Sequence, residues 1–116
     1  MAEGLSYDSN EGRALCGAIT AIMTGHAYEQ SAEIARTMGA FPGYRDSHCA
    51  GVAKTVAKDN VEPMLGVIQA HREAVENIHP SEEFGYLKEE ARRCWDRALA
   101  RGREAGYRNA QVTVLA

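Results

Sequence analysis

Apolar residues recur at helical spacing in four stretches of the chain. In the first, Leu15, Ala18, Ile19, Ile22 and Met23 fall on one stripe of a helix that opens after Asp8, Ser9 and Asn10. Each of those three residues can cap a helix, and Glu11 suits a first turn. Gly25 then marks a stop or a kink. The second stretch carries Tyr28, Ser31, Ile34, Ala35 and Met38 on one side and closes at Gly39. The third begins after Asn60, tolerates Pro63 in its first turn, and repeats Met64, Ile68, His71, Val75 and Ile78. It stops at His79-Pro80, because a residue preceding proline avoids helical geometry. The fourth opens near Ser81 and has Leu87, Ala91, Cys94, Trp95, Ala98 and Leu99 as its apolar face. These patterns predict helices near 10–24, 27–38, 62–78 and 86–105.

Two stretches break the helical pattern. Residues 40–60 are irregular, with a Pro42-Gly43 turn and a weak extended signal at Val52–Val56. The final Val112, Thr113, Val114 and Leu115 are β-branched or apolar and predict a strand at about 110–116. The expected fold class is therefore mainly α. It is a single bundle-like segment spanning 1–116, with four helices, an irregular loop at about 40–60 and one C-terminal strand. Such a strand has unpaired edges, and three outcomes are open: pairing with the same segment of a second copy to make a homodimer, which symmetry favours, pairing with the Val52–Val56 stretch, or disorder.

Composition narrows the function. At 116 residues, 45% apolar and 25% charged, the chain is one ordinary globular unit. A net charge of −3 lacks the basic excess of a nucleic-acid binder. The N-terminus lacks the pattern of a secretory signal, and no apolar run reaches membrane-spanning length, so no membrane partner is expected. Three cysteines without paired spacing suit a reducing cytoplasm. The many charges of the fourth helix pair at i,i+3 and i,i+4, as Glu89 does with Arg92 and Arg93, and form a solvated face.

Candidate chemistry is sparse. His48-Cys49 lacks the paired spacings of a structural zinc site. Glu76-Asn77-Ile78-His79 is a single Glu-x-x-His, a unit that di-iron bundles use twice, and His26 with Glu29 gives only the reverse order. His71 reads as a buried or half-buried histidine satisfied by a backbone carbonyl. Cys16 and Cys94 read as small core residues, and Cys49, in a loop beside His48, as a plain exposed loop cysteine that is also the best candidate for a reactive thiol. No phosphate-cradling loop, dinucleotide fingerprint or serine nucleophile motif occurs. No catalytic, cofactor-binding or metal residue is therefore assigned.

Three stretches resemble one family. GLSYDSNEGRALCGAITAIMTGHAYEQSAEIA, NVEPMLGVIQAHREAV and the terminal YRNAQVTVLA are similar to the large catalytic subunit of adenosylcobalamin-dependent (class II) ribonucleotide reductases. In that family the terminal stretch is a strand leading into a Pro-Thr-Gly-Thr phosphate loop. The resemblance implies a fragment of a ten-stranded α/β barrel that reduces ribonucleotides to deoxyribonucleotides for DNA replication. Its partner would be the remainder of the barrel. The family's radical cysteine, electron-donating cysteine pair, Asn and Glu have no match here. The resemblance thus implies a barrel-flanking scaffold, inactive alone and binding no cofactor itself, with adenosylcobalamin used by the intact enzyme. A free-standing helical interaction or oligomerisation module is the alternative.

Overall fold

The computed structural model describes residues 4–6, 8–44 and 61–109. Among them the chain forms three helices: α1 (Asn10–Met38), α2 (Val61–Ala74) and α3 (Gly85–Ala105). A 3-10 turn at Val75–Asn77 extends α2.

Local chemistry sets the ends. Ser9 is extended and its Oγ accepts the Gly12 N–H at 2.9 Å, so Ser9 is the N-cap among the three candidates. Gly39, at φ 85° and ψ 159°, lies in a region open essentially to glycine, and its N–H donates to Ala35 O at 2.7 Å. Pro63 sits in the first turn of α2, where it costs no backbone bond. Ile78 turns extended just before His79-Pro80. Ahead of α3, Ser81 Oγ accepts the Phe84 N–H at 3.0 Å and donates to Glu11 near the start of α1.

The observed fold corrects the four-helix, one-strand expectation. The helices expected at 10–24 and 27–38 are one continuous α1 of 29 residues. Gly25 does not break it, because its missing side chain is used for packing instead. A Cβ there would lie 3.0 Å from Trp95 Nε1 and 3.1 Å from Cys94 Cβ, so glycine admits α3 against α1. A mid-helix glycine costs about 1 kcal/mol of propensity against alanine, which close packing offsets. The described residues contain no strand, and the barrel that the resemblance implies has no counterpart among them. The expected strand at 110–116, with the dimer built on it, lies outside the described residues, as do the Val52–Val56 stretch, the Asn60 cap, His48 and Cys49. The third helix also ends four residues short of Ile78, in the tighter turn.

The core lies where α1 and α2 meet α3. It is centred on Trp95, with Tyr28, Ala32, Ile68, Val75, Ala91, Ala98 and Leu99 around it and Tyr44 and Tyr107 closing one end. The α3 face matches the periodicity well: Ala91, Cys94, Trp95, Ala98 and Leu99 are all buried. The α1 face matches only in part, with Leu15, Ala18, Tyr28, Ser31 and Ala35 buried as expected. Its small residues Ala14, Ala18, Gly25, Ala32 and Ala35 face inward, whereas Ile19, Met23, Ile34 and Met38 are exposed.

Candidate functional site

Among the described residues, the strap Gly106–Asn109, which follows α3, is densely tied to its surroundings. Gly106 ends the helix at φ 76°, ψ −162°, with its N–H on Gly102 O at 2.8 Å. A side chain on Gly106 would need that same glycine-only backbone and would meet Tyr44 Cε1 at 2.6 Å. Tyr107 then folds back over α3, and its hydroxyl donates to Ala98 O at 2.8 Å. Gly102 is the seat for that ring: a Cβ there would overlap the tyrosine hydroxyl and ring. Burial pushes the Tyr107 hydroxyl well above the ordinary range, so it stays a neutral donor.

Past Tyr107 the strap is tied to α1. Ser31 Oγ accepts the Arg108 N–H at 3.0 Å and the Asn109 N–H at 2.8 Å, and it donates to Asn109 O at 2.6 Å. Ser31 itself is buried. The Phe41 N–H donates to Tyr107 O at 2.9 Å, which fixes the loop after α1 to the same strap. Arg108 Nη1 reaches the carbonyls of Ala40 (3.4 Å) and Gly39 (3.5 Å), the end of α1. One hydroxyl thus satisfies two backbone donors and one acceptor, and it fixes Arg108 and Asn109 against α1.

A second cluster bridges α1 and α3. Glu29 is buried, and its Oε1 accepts from Arg97 Nε at 3.1 Å and Arg101 Nη1 at 2.5 Å. Its Oε2 has no hydrogen-bond partner among the described residues, with His26 Nδ1 3.5 Å away. Arg101 also pairs with Glu33, Arg97 with Glu90, and Arg93 with Glu90. Arg36 also pairs with Glu33, so four guanidinium groups meet three carboxylates and each is engaged in an ion pair. Arg93 and then Arg97 hold the Glu90 carboxyl below the usual carboxylate range. Buried beside them, Cys94 has its thiol pushed up by desolvation, which keeps it protonated and a poor nucleophile.

A groove of about 550 Å³ separates α1 from α2. Cys16, Thr20 and Thr24 line one wall, Ala74 and Ile78 the other, with Trp95 and His71 between them. His71 stacks on Trp95 at 5.1 Å between ring centroids, and its Nδ1 lies 2.8 Å from Val67 O. The carbonyl partner expected for His71 is present, but the ring is exposed rather than buried.

The other sequence candidates disperse. Glu76 does not act with His79: Arg92 and then Arg72 bind its carboxylate and hold its pKa down to about 2, while His79 is exposed. Cys16 is exposed on the groove lip rather than in the core, and Cys94 is buried as expected. Among the described residues, no three His, Cys, Asp or Glu side chains gather as metal ligands. Sequence reasoning missed Ser31 as an anchor, Glu29 as a buried charge, and the Gly102–Tyr107 pair. Only Gly102 left a signal, a glycine in the last turn of a helix otherwise made of good helix formers.

Comparison with known proteins places these features. Residues 1–116 match the family model described as ribonucleotide reductase, barrel domain. The chain is 44% identical to a vitamin B12-dependent ribonucleotide reductase of Bradyrhizobium diazoefficiens, covering all of this chain and 9% of that protein. It is 43% identical to the protein of that name in Rhodopirellula baltica (10% covered) and 35% to that of Streptomyces coelicolor (11% covered), again over the whole chain. The chain thus spans about a tenth of the length of these relatives. No solved structure matches it.

Proposed function

The chain belongs to the ribonucleotide reductase barrel-domain family, and from that premise we propose that it is a scaffold segment of a vitamin B12-dependent reductase. In the intact enzyme, ribonucleotides are reduced to deoxyribonucleotides for DNA synthesis. This segment's part is to hold the polypeptide that leaves α3 in a fixed position and direction. The observation that carries the reading is the strap: Ser31, Phe41 and Ala98 together fix Tyr107–Asn109 at its backbone and its ring. A misplacement of about 1 Å at a distance from the chemistry can cost about 100-fold in rate, so rigid positioning is itself a catalytic contribution.

The cofactor in the relatives' names belongs to the intact polypeptide in this reading. The groove residues do not fit a corrinoid. The lining is apolar or hydroxyl-bearing apart from His71 and, among the described residues, holds no charged side chain for the phosphate and amide groups of such a ligand. The 116-residue chain alone is expected not to turn over. Among the described residues no helix is long and apolar enough to cross a membrane, and with two free thiols this supports a cytoplasmic setting.

The test is a graft. This chain replaces the matching segment of the Bradyrhizobium reductase, and B12-dependent ribonucleotide reduction is measured. The grafted enzyme should be active, and Ser31→Ala within it should lower kcat more than it lowers thermal stability. A folded but inactive graft overturns the reading.

A further inference from the structure

Four large apolar side chains on α1 face solvent: Ile19 (52% exposed), Met23 (45%), Ile34 (40%) and Met38 (66%). At about 100° per residue they fall on one stripe about 100° wide, with Ala27 and Gln30 between them. The stripe holds no charged side chain from residue 16 to residue 38, and Glu29, Glu33 and Arg36 lie on another side of the helix. From Ile19 to Met38 the stripe runs about 29 Å along the helix. Four exposed large apolar side chains aligned on one uncharged side of a helix mark an interaction face.

We propose that this face is an internal interface, covered by the remainder of the reductase polypeptide. The inference rests on the scaffold reading and adds the surface and its partner. Two observations choose the occupant. The relatives are about ten times longer than this chain, so most of their polypeptide is available to cover the face. The strap also ends on Ser31, which neighbours Ile34 one helical turn away, so chain continuing past Asn109 starts beside the middle of the stripe. Such a tether gives the attached polypeptide a high effective concentration at the face. Because the stripe is uncharged, the covering surface is apolar and packs as a core does, without steering by ion pairs.

The experiment places one reporter thiol, Met23→Cys, in a background where Cys16 and Cys49 are serine. Maleimide labelling is followed in the 116-residue chain and in the Bradyrhizobium graft. The reporter should label freely in the chain alone and at least about tenfold more slowly in the graft, where exposure would require local opening. Equal rates in an active graft overturn the interface and leave the scaffold reading standing. Protection with an inactive, folded graft does the reverse. Protection in the chain alone, with a dimer mass in sedimentation, makes a second copy the occupant and overturns the proposal. Should the graft not fold, the immobilised chain is tested for capture of a Bradyrhizobium reductase lacking its matching segment. Capture abolished by Met23→Lys with Ile34→Lys supports the proposal, and no capture, or capture indifferent to both changes, overturns it.

Discussion

The two faces of α3 are held in different ways. Against α1 the contact is made by backbone approach: Gly25, Ala32 and Ala35 let the helices close, and ten residues of α1 are buried. Against α2 the contact is thin, and Ile68 is the one residue of Val61–Ala74 that is fully buried. There the helix is held by the Tyr28–His71–Trp95 aromatic group and by a rim of ion pairs, Arg72 with Asp96 at 2.6 Å and Arg92 with Glu76 at 2.7 Å. Close packing leaves no room for substitution, whereas solvated ion pairs on long side chains adjust. The α1–α3 side with its strap is therefore the rigid part, and α2 the adaptable part.

Substitutions can break that contrast. The largest effect is expected from Trp95→Ala, which empties the centre that both sides share and should cost about 4 kcal/mol in chemical denaturation. Gly102→Ala comes next. The new methyl group collides with Tyr107, so the ring leaves Ala98 O and the strap is displaced, at about 3 kcal/mol. Hydrogen exchange at Arg108 and Asn109 should accelerate in the same variant. If Gly102→Ala is as stable as the parent, the strap is not the rigid element. Ser31→Ala leaves two backbone N–H groups without their acceptor and should cost about 2 kcal/mol, with α2 unaffected.

The adaptable side is sharpened by pH. Glu76 has an ordinary carboxyl pKa of 4.5 and a folded value of about 2, lowered first by Arg92 and then by Arg72. A folded pKa below the unfolded one adds stability that is fully present above pH 4.5 and lost as pH falls toward 2. Since the group is solvated, the effect should be the smallest of the four. Urea midpoints measured from pH 6 to pH 2.5 should fall less steeply in Glu76→Gln than in the parent. Parallel curves would show that the rim pairs contribute nothing to holding α2.

The sequence alone determined the helical character, the Gly39 stop, Pro63 in the first turn of α2, and most of the buried face of α3. Those features are local. Caps act within three residues, and on α3 the apolar and charged positions segregate cleanly enough for periodicity to choose the face. Ala91, Cys94, Trp95, Ala98 and Leu99 were legible for that reason. The candidate site was far less legible. Helix α1 has apolar residues on most sides, so periodicity selected Ile19 and Met23 because they are large. The tertiary structure buried Leu15, Ala18, Tyr28 and Ala35 of the expected stripes, left the large Ile19 and Met23 exposed, and added the small Ala14 and Ala32, since close approach to α3 rewards low volume over hydrophobicity. Gly25 read as a break until Trp95 and Cys94 stood against it. Ser31, 78 residues from Asn109, and Glu29, 68 and 72 residues from its arginines, took their roles only when distant segments met. A hydroxyl or carboxylate has no role until its partner is placed, and that placement is what the packing of α1 on α3 decided.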